Sequence, residues 1–239
     1  MKVVEQIRKT ILKLPEDKTF GYTDLGVAKE DYQTSAKALE RLQKQGLIKK
    51  MSKGIFYKPI STVFGDLKPL DSEQLKPYLF KNGKRIAYIT GESLYNQMNL
   101  TTQMAFRIKI AGNRRINIDK GSIKAKSVKS YAEVTDANYE FLGILDAFKD
   151  IKRIPDCSVA QAILRLSVIL KELNQKQTDS IIKYALVYPP RVRALVGAVL
   201  EKNGQKGLKK LKDSLNPLTI IKMGLKETEL PTKSNWYIK

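Results

Sequence analysis

The sequence predicts an α+β, predominantly helical fold, and three observations predict it. Apolar residues recur at helical spacing near the N-terminus and through much of residues 135–239. Short apolar or alternating runs, set apart by glycine-containing turns, occupy residues 86–128. Residues 1–60 read as helix, short helix, helix and hairpin, in that order. With 42% of 239 residues apolar, the chain can bury a core.

Each element follows from local pattern. Val4, Ile7, Ile11 and Leu14 line one side of a first helix, and Pro15 ends it. Residues 19–21 are extended, and 22–27 have room for one or two helical turns. A second helix is expected over 32–45, capped by Asp31 and stopped by Gly46. Residues 47–51 read as a strand, 52–54 as a turn and 55–57 as the returning strand. That order is a winged helix-turn-helix, assigned to residues 1–60.

Residues 61–239 make a second domain in two parts. In 61–134, Pro69 and Pro77 mark an irregular connection. Strands are expected over 86–90, 106–110, 116–118 and 123–128, with a short helix near 92–98 and turns at Gly112-Asn113 and Gly121-Ser122. In 135–239, three apolar stripes predict helices: Phe141, Leu142, Leu145 and Phe148; Val159, Ile163, Leu166 and Leu170; and Val192, Leu195, Val196, Val199 and Leu200. Pro189-Pro190 precedes the last helix, where proline costs no hydrogen bond.

Composition excludes several chemistries. There is no histidine and one cysteine, Cys157. A Ser-His-Asp or Cys-His nucleophile lacks its imidazole base, a structural zinc site lacks its ligands, and an intramolecular disulfide is impossible. No phosphate-binding glycine loop of the G-x-x-x-x-G-K-[ST] type occurs. The acids Asp136, Glu140, Asp146 and Asp150 cluster in sequence, so a Mg²⁺-dependent nuclease is conceivable. The simpler account is the solvated face of a helix whose other side is Phe141, Leu145 and Phe148. No catalytic residue, metal or cofactor is therefore expected. The N-terminal apolar pattern is broken by Glu5, Arg8, Lys9 and Lys13, and no apolar run approaches a membrane span. The expected compartment is the cytoplasm, with no membrane partner.

Charge points to polyanions. Lys and Arg number 44 against 24 Asp and Glu, a net charge of +20. Residues 81–131 alone hold 11 basic and 2 acidic residues. In the 32–45 helix, Lys37, Arg41 and Lys44 recur at i, i+4, i+7. This puts three cations on one stripe, displaced by about 160–200° from the Leu39–Leu42 face. Such a helix suits the DNA major groove: arginine reads guanine bidentately and lysine neutralises phosphate. Thr34 and Ser35, near its N-terminus, are candidate base readers. Lys49, Lys50, Ser52 and Lys53 on the hairpin suit flanking phosphates. Arg107, Arg114, Arg115, Lys124, Arg191 and Arg193 form a possible second basic surface, which leaves open an RNA-binding role for the basic C-terminal half.

Three stretches, taken in order, resemble the AbiEi-type antitoxins. They are Lys37-Ala38-Leu39-Glu40-Arg41-Leu42 with the following Gly46-Leu47-Ile48 and Lys53-Gly54-Ile55-Phe56-Tyr57; Leu100-Thr101-Thr102-Gln103; and 188–198, beginning Tyr188-Pro189-Pro190. The resemblance implies a bipartite cytoplasmic regulator. Its winged helix would bind double-stranded DNA at its own operator, as inverted repeats, and repress transcription. Its C-terminal region would counteract a nucleotidyltransferase-like toxin in a type IV-like toxin–antitoxin system. The implied DNA contacts are Thr34, Ser35, Lys37, Arg41, Lys44, Lys50 and Lys53, and no catalytic residue is implied.

Overall fold

The computed structural model describes residues 3–63, 65–120 and 123–239. It combines helices with several small sheets and is about 44% helical. The chain divides into two compact units, Met1–Lys84 and Arg85–Lys239. Residues 61–84, grouped by sequence with the second domain, cluster with the first unit.

In the first unit, α1 (Val3–Lys13) buries Ile7 and Ile11, and α2 (Tyr32–Lys44) buries Ala38, Leu39 and Leu42. Strands β1 (Thr19–Gly21), β2 (Lys49–Ser52) and β3 (Ile55–Tyr57) form an antiparallel sheet in the order β1-β3-β2. Phe20, Leu25, Ile48 and Phe56 close the core between helices and sheet. Each fully buried leucine or isoleucine there contributes about 1.5–3 kcal/mol. Gly54 takes a φ of +74° in the β2–β3 turn, a left-handed conformation that glycine adopts without steric cost.

Three expectations fail here. Residues 22–27 form turns, and a short 3-10 segment, Lys29–Asp31, leads into α2. Asp31 holds the N-cap position but makes no side-chain cap bond. The irregular connection expected around Pro69 and Pro77 is instead a hairpin, β4 (Ile60–Thr62) with β5 (Gly65–Leu67), followed by helix α3 (Asp71–Leu79). Pro77 sits inside α3. Having no N–H, it cannot bond the Glu73 carbonyl one turn earlier. That carbonyl accepts the Thr19 hydroxyl at 3.0 Å, so the proline ties α3 to β1.

Two-residue strands β6 (Phe80–Lys81) and β7 (Lys84–Arg85) lie next to the division. The second unit continues with β8 (Ala87–Thr90), α4 (Glu92–Gln97), β9 (Ile108–Gly112), β10 (Asn117–Lys120) and β11 (Ile123–Lys129). The sheet order is β10-β11-β9-β8; β9 and β11 run parallel and the other pairs antiparallel. The run expected at 106–110 becomes a strand only at Ile108, which leaves Phe106 outside it. The turn expected at Gly121-Ser122 lies outside the described residues.

Helices α5 (Tyr139–Asp150), α6 (Val159–Lys171), α7 (Gln175–Ala185), α8 (Pro190–Lys202) and α9 (Lys209–Asp213) follow. Ser158 with Gln161, and Asn174 with Gln177, form capping boxes at the starts of α6 and α7. Pro190 is the first residue of α8, which is buried from Ala194 through Leu200. None of the described helices is long and apolar enough to cross a membrane.

The C-terminal segment packs back on α8. Trp236 is 1% exposed, and its indole N–H donates to Glu201. Its ring lies where a Cβ on Gly197 would have to go. The glycine is a seat for the tryptophan. Gly197→Ala should destabilise the second unit by about 1–3 kcal/mol, the usual cost of overpacking. Thermal unfolding followed by Trp236 fluorescence, the only tryptophan signal, would show it. An unshifted midpoint would mean that the tail docks by other contacts.

Candidate nucleic-acid interface

The α2 backbone carries two opposed faces. Ala38, Leu39 and Leu42 point into the core, and Lys37, Arg41 and Lys44 are exposed. Lys44 pairs with Glu40 at 3.1 Å, both side chains well exposed, an i,i+4 pair that contributes little. Lys37 and Arg41 have no acidic partner among the described residues. Thr34 is exposed at the N-terminal end of the same stripe.

Ser35 departs from expectation. It is fully buried, and its hydroxyl donates to the Asp31 carbonyl at 2.7 Å. It fastens the start of α2 and presents nothing to a ligand. The helical wheel that assigns the cationic stripe also places Ser35 at about 160° from Lys37, between Leu42 and Leu39. The signal was in the sequence.

Lys50 and Lys53 are exposed on the β2–β3 hairpin, and Ser52 is half-buried there. Lys49 is not free in the same way. Its ammonium lies 2.9 Å from Asp66 on β5, and Asp66 also accepts the Ser61 hydroxyl at 2.6 Å. The hydrogen bond from Lys49 holds the Asp66 carboxyl below its usual range and raises Lys49 above its own. Lys49 is therefore tied to the β4–β5 hairpin. No local pattern in the sequence links residues 49 and 66.

The six cations of the second basic surface separate into two kinds. Arg114 and Arg115 are exposed and, with Lys129 and Ser127, line a pocket of about 270 Å³. Arg107 pairs with Asp119 at 3.3 Å, and the Lys124 ammonium rests 4.6 Å from the centre of the Phe106 ring. Arg191 and Arg193 are structural, contrary to expectation. Arg191 donates to the Lys149 carbonyl at 2.6 Å and Arg193 to the Ser214 carbonyl at 2.8 Å, and the Nε of each is buried.

The four acids do not converge. Asp136 pairs with Arg85 at 2.9 Å, and Arg85 also stacks over Tyr139. Glu140 accepts the Tyr139 hydroxyl, and Asp150 accepts that of Tyr95 at 2.8 Å. Asp146 is buried, not on a solvated face. It accepts Tyr88 at 2.9 Å, Thr90 at 2.8 Å, Lys149 at 2.8 Å and Tyr188 at 3.2 Å. Among the described residues no three Cys, Asp or Glu side chains gather as a metal site. Cys157 is half-buried, and burial raises its thiol pKa.

The two distal motifs also resolve into structure. Thr101 is buried, and Gln103 donates to Asp156 at 2.7 Å, which fastens the 100–103 loop near the start of α6. Tyr188, which opens the Tyr-Pro-Pro stretch, is one of the Asp146 donors.

A sequence model of a family described as "Family of unknown function (DUF6088)" matches residues 4–181. No curated protein matches the chain. The crystal structure of the RV2827C protein from Mycobacterium tuberculosis is similar in fold. It superposes with a TM-score of 0.55 at 9% identity, over 100% of this chain and 91% of that one. At that identity the likeness speaks for fold alone.

The Asp146 cluster has a measurable signature. Burial, and then the nearby Asp146 charge, push the Tyr88 and Tyr188 hydroxyls far above the ordinary tyrosine range; burial and Asp150 do the same for Tyr95. Folded values above the unfolded value of about 10 mean stability that is complete below about pH 10 and lost as pH rises further. In an ultraviolet phenolate titration these three of the 11 tyrosines should stay protonated past about pH 10 and ionise only as helical circular dichroism collapses. Ionisation of every tyrosine before unfolding would contradict the buried network.

Proposed function

We propose that the chain, which belongs to the DUF6088 family, is a DNA-binding autorepressor and antitoxin of a type IV-like toxin–antitoxin system. In this reading the first unit is a winged helix. Its second helix, α2, enters the major groove, and the β2–β3 hairpin is the wing that reaches flanking phosphate. The observation that carries it is the exposed stripe of Lys37, Arg41 and Lys44, with Thr34 at its leading end, beside a hairpin presenting Lys50 and Lys53.

The physical case is one of orientation and charge. A major groove about 12 Å wide admits one helix, and the buried face of α2 leaves only its cationic face to enter. Arg41 is the candidate for bidentate guanine contact. Lys37 and Lys44 are suited to phosphate, where each neutralised charge adds about −0.9 to the slope of log K against log salt. Ser35 and Lys49 drop out of the contact set, since both are engaged within the unit.

Autorepression and antitoxicity come from the resemblance to AbiEi-type antitoxins. They assign the operator to the DNA upstream of the chain's own gene and the opposing toxin to a nucleotidyltransferase-like protein. In that division of labour the second unit counteracts the toxin.

A gel shift on about 200 bp of upstream DNA with scrambled competitor, at two salt concentrations, tests the reading. The Lys37→Ala/Arg41→Ala double variant should bind the operator at least tenfold more weakly, since one bidentate base contact is worth about 1–3 kcal/mol. Its circular dichroism should be unchanged, because both side chains are exposed. Loss of repression with retained protection against a co-expressed toxin would separate the two roles. Operator affinity equal to wild type in the double variant would refute the role given to α2.

A further inference from the structure

We infer that the outer half of one sheet face in the second unit binds single-stranded RNA, with a base stacked on Phe106 and phosphates on Lys124 and Lys126. The placement follows from strand register. Along β11, Ile123 and Ala125 point to one face, and Lys124, Lys126 and Val128 to the other. Pairing with β9 sets Lys126 beside Lys109 and Val128 beside Ala111. Pairing with β8 sets Thr90 beside Lys109 and Tyr88 beside Ala111. Pairing with β10 sets Asn117 beside Lys126 and Asp119 beside Lys124.

That face therefore has two halves. Tyr88, Ala111 and Val128 belong to the helical core. Lys109, Lys124, Lys126 and Asn117, with Arg107 just before β9, do not. Within the outer half, Glu92 engages Lys109 at 3.0 Å and Asp119 engages Arg107 at 3.3 Å. Lys126 is exposed with no ion-pair partner among the described residues, and the Lys124 ammonium sits on the Phe106 ring.

Phe106 is the telling residue. It is 80% exposed, although a phenyl ring gains more from burial than almost any side chain. Lys124 lies over the ring, and most of the ring's surface remains exposed. An exposed aromatic ring beside two ammonium groups, neither of them held in an ion pair among the described residues, is the recognition chemistry of a single strand: bases stack on the ring while phosphates meet the ammonium groups. A duplex keeps its bases stacked inside and offers this ring nothing. The exposed Asn117 amide both donates and accepts, which matches a ribose 2′-hydroxyl and selects RNA over DNA.

The test uses the full chain and three fluorescein-labelled probes: a 12-nucleotide oligouridylate, the same length of oligodeoxythymidylate, and the upstream duplex. Wild type should bind the RNA more tightly than the DNA single strand. Phe106→Ala should weaken RNA binding about tenfold, and Phe106→Tyr should restore it. Lys124→Gln/Lys126→Gln should lower the salt slope by about 1.4, two phosphates at about 0.7 each. Duplex binding should be unchanged in Phe106→Ala, so failure here and failure of the α2 reading are separable. Wild-type RNA affinity in Phe106→Ala overturns the proposal, as does equal affinity for the DNA single strand. Self-association abolished by Phe106→Ala without RNA binding also overturns it, and gives the face to a second copy of the chain.

Discussion

The second unit is organised around one buried carboxylate. An isolated ionised Asp in an apolar interior would cost several kcal/mol, so Asp146 must be matched donor for donor. Its four donors come from three places in the chain: Tyr88 and Thr90 from β8, Lys149 from its own helix, and Tyr188 from the segment just before α8. None of these elements can shift without leaving a charge unsatisfied. Hydrophobic contact alone tolerates sliding; four directed hydrogen bonds to one side chain do not. The carboxylate thereby fixes the register of sheet against helices, and the sheet's outer half, with Phe106 and its lysines, inherits that position.

The first unit solves a smaller problem by different means. Its core is apolar, and what needs fixing is the rotation of α2 about its own axis. Leu39 and Leu42 set it coarsely by burial. Ser35, bonded to the Asp31 carbonyl, holds the first turn. With those three committed inward, Lys37 and Arg41 have no orientation left but outward. Pro77 performs a comparable service for α3, since the hydrogen bond it withholds from Glu73 is what lets Thr19 reach that carbonyl.

What was legible in the sequence was local. Helices α1, α2, α6 and α8 follow from period alone, and β1, β3 and the Gly54 turn from short-range chemistry. What was not legible was long-range or read by too simple a rule. Asp146 looked like a surface acid because its tyrosine and threonine partners lie 42–58 residues away. Arg191 and Arg193 looked like surface cations because nothing nearby in sequence marks the carbonyls of Lys149 and Ser214 as their acceptors. The β4–β5 hairpin and α3 were hidden by treating Pro69 and Pro77 as breakers, although proline is tolerated where its missing bond is taken up elsewhere. Ser35 is a different kind of miss: the wheel already buried it, and only its hydroxyl suggested otherwise.

These distinctions bear on how a net charge of +20 should be read. A cation counts toward a partner only after its internal duties are subtracted. Lys49, Arg85, Arg107, Lys109, Lys149, Arg191 and Arg193 all have acceptors within their own units. Lys37, Arg41, Lys50 and Lys53 in the first unit, and Arg114, Arg115 and Lys126 in the second, have none among the described residues. Part of the charge left over thus lies on one helix and its hairpin and on one sheet; exposed lysines such as Lys206, Lys209, Lys210 and Lys212 carry more of it elsewhere in the second unit. A polyanion meeting the first surface finds a convex helix shaped for a groove. One meeting the second finds a sheet face and an exposed aromatic ring, which on the reading proposed would suit bases already out of their stack. On the readings proposed above, the two surfaces differ in shape more than in charge, and shape is what would decide which form of nucleic acid each could hold.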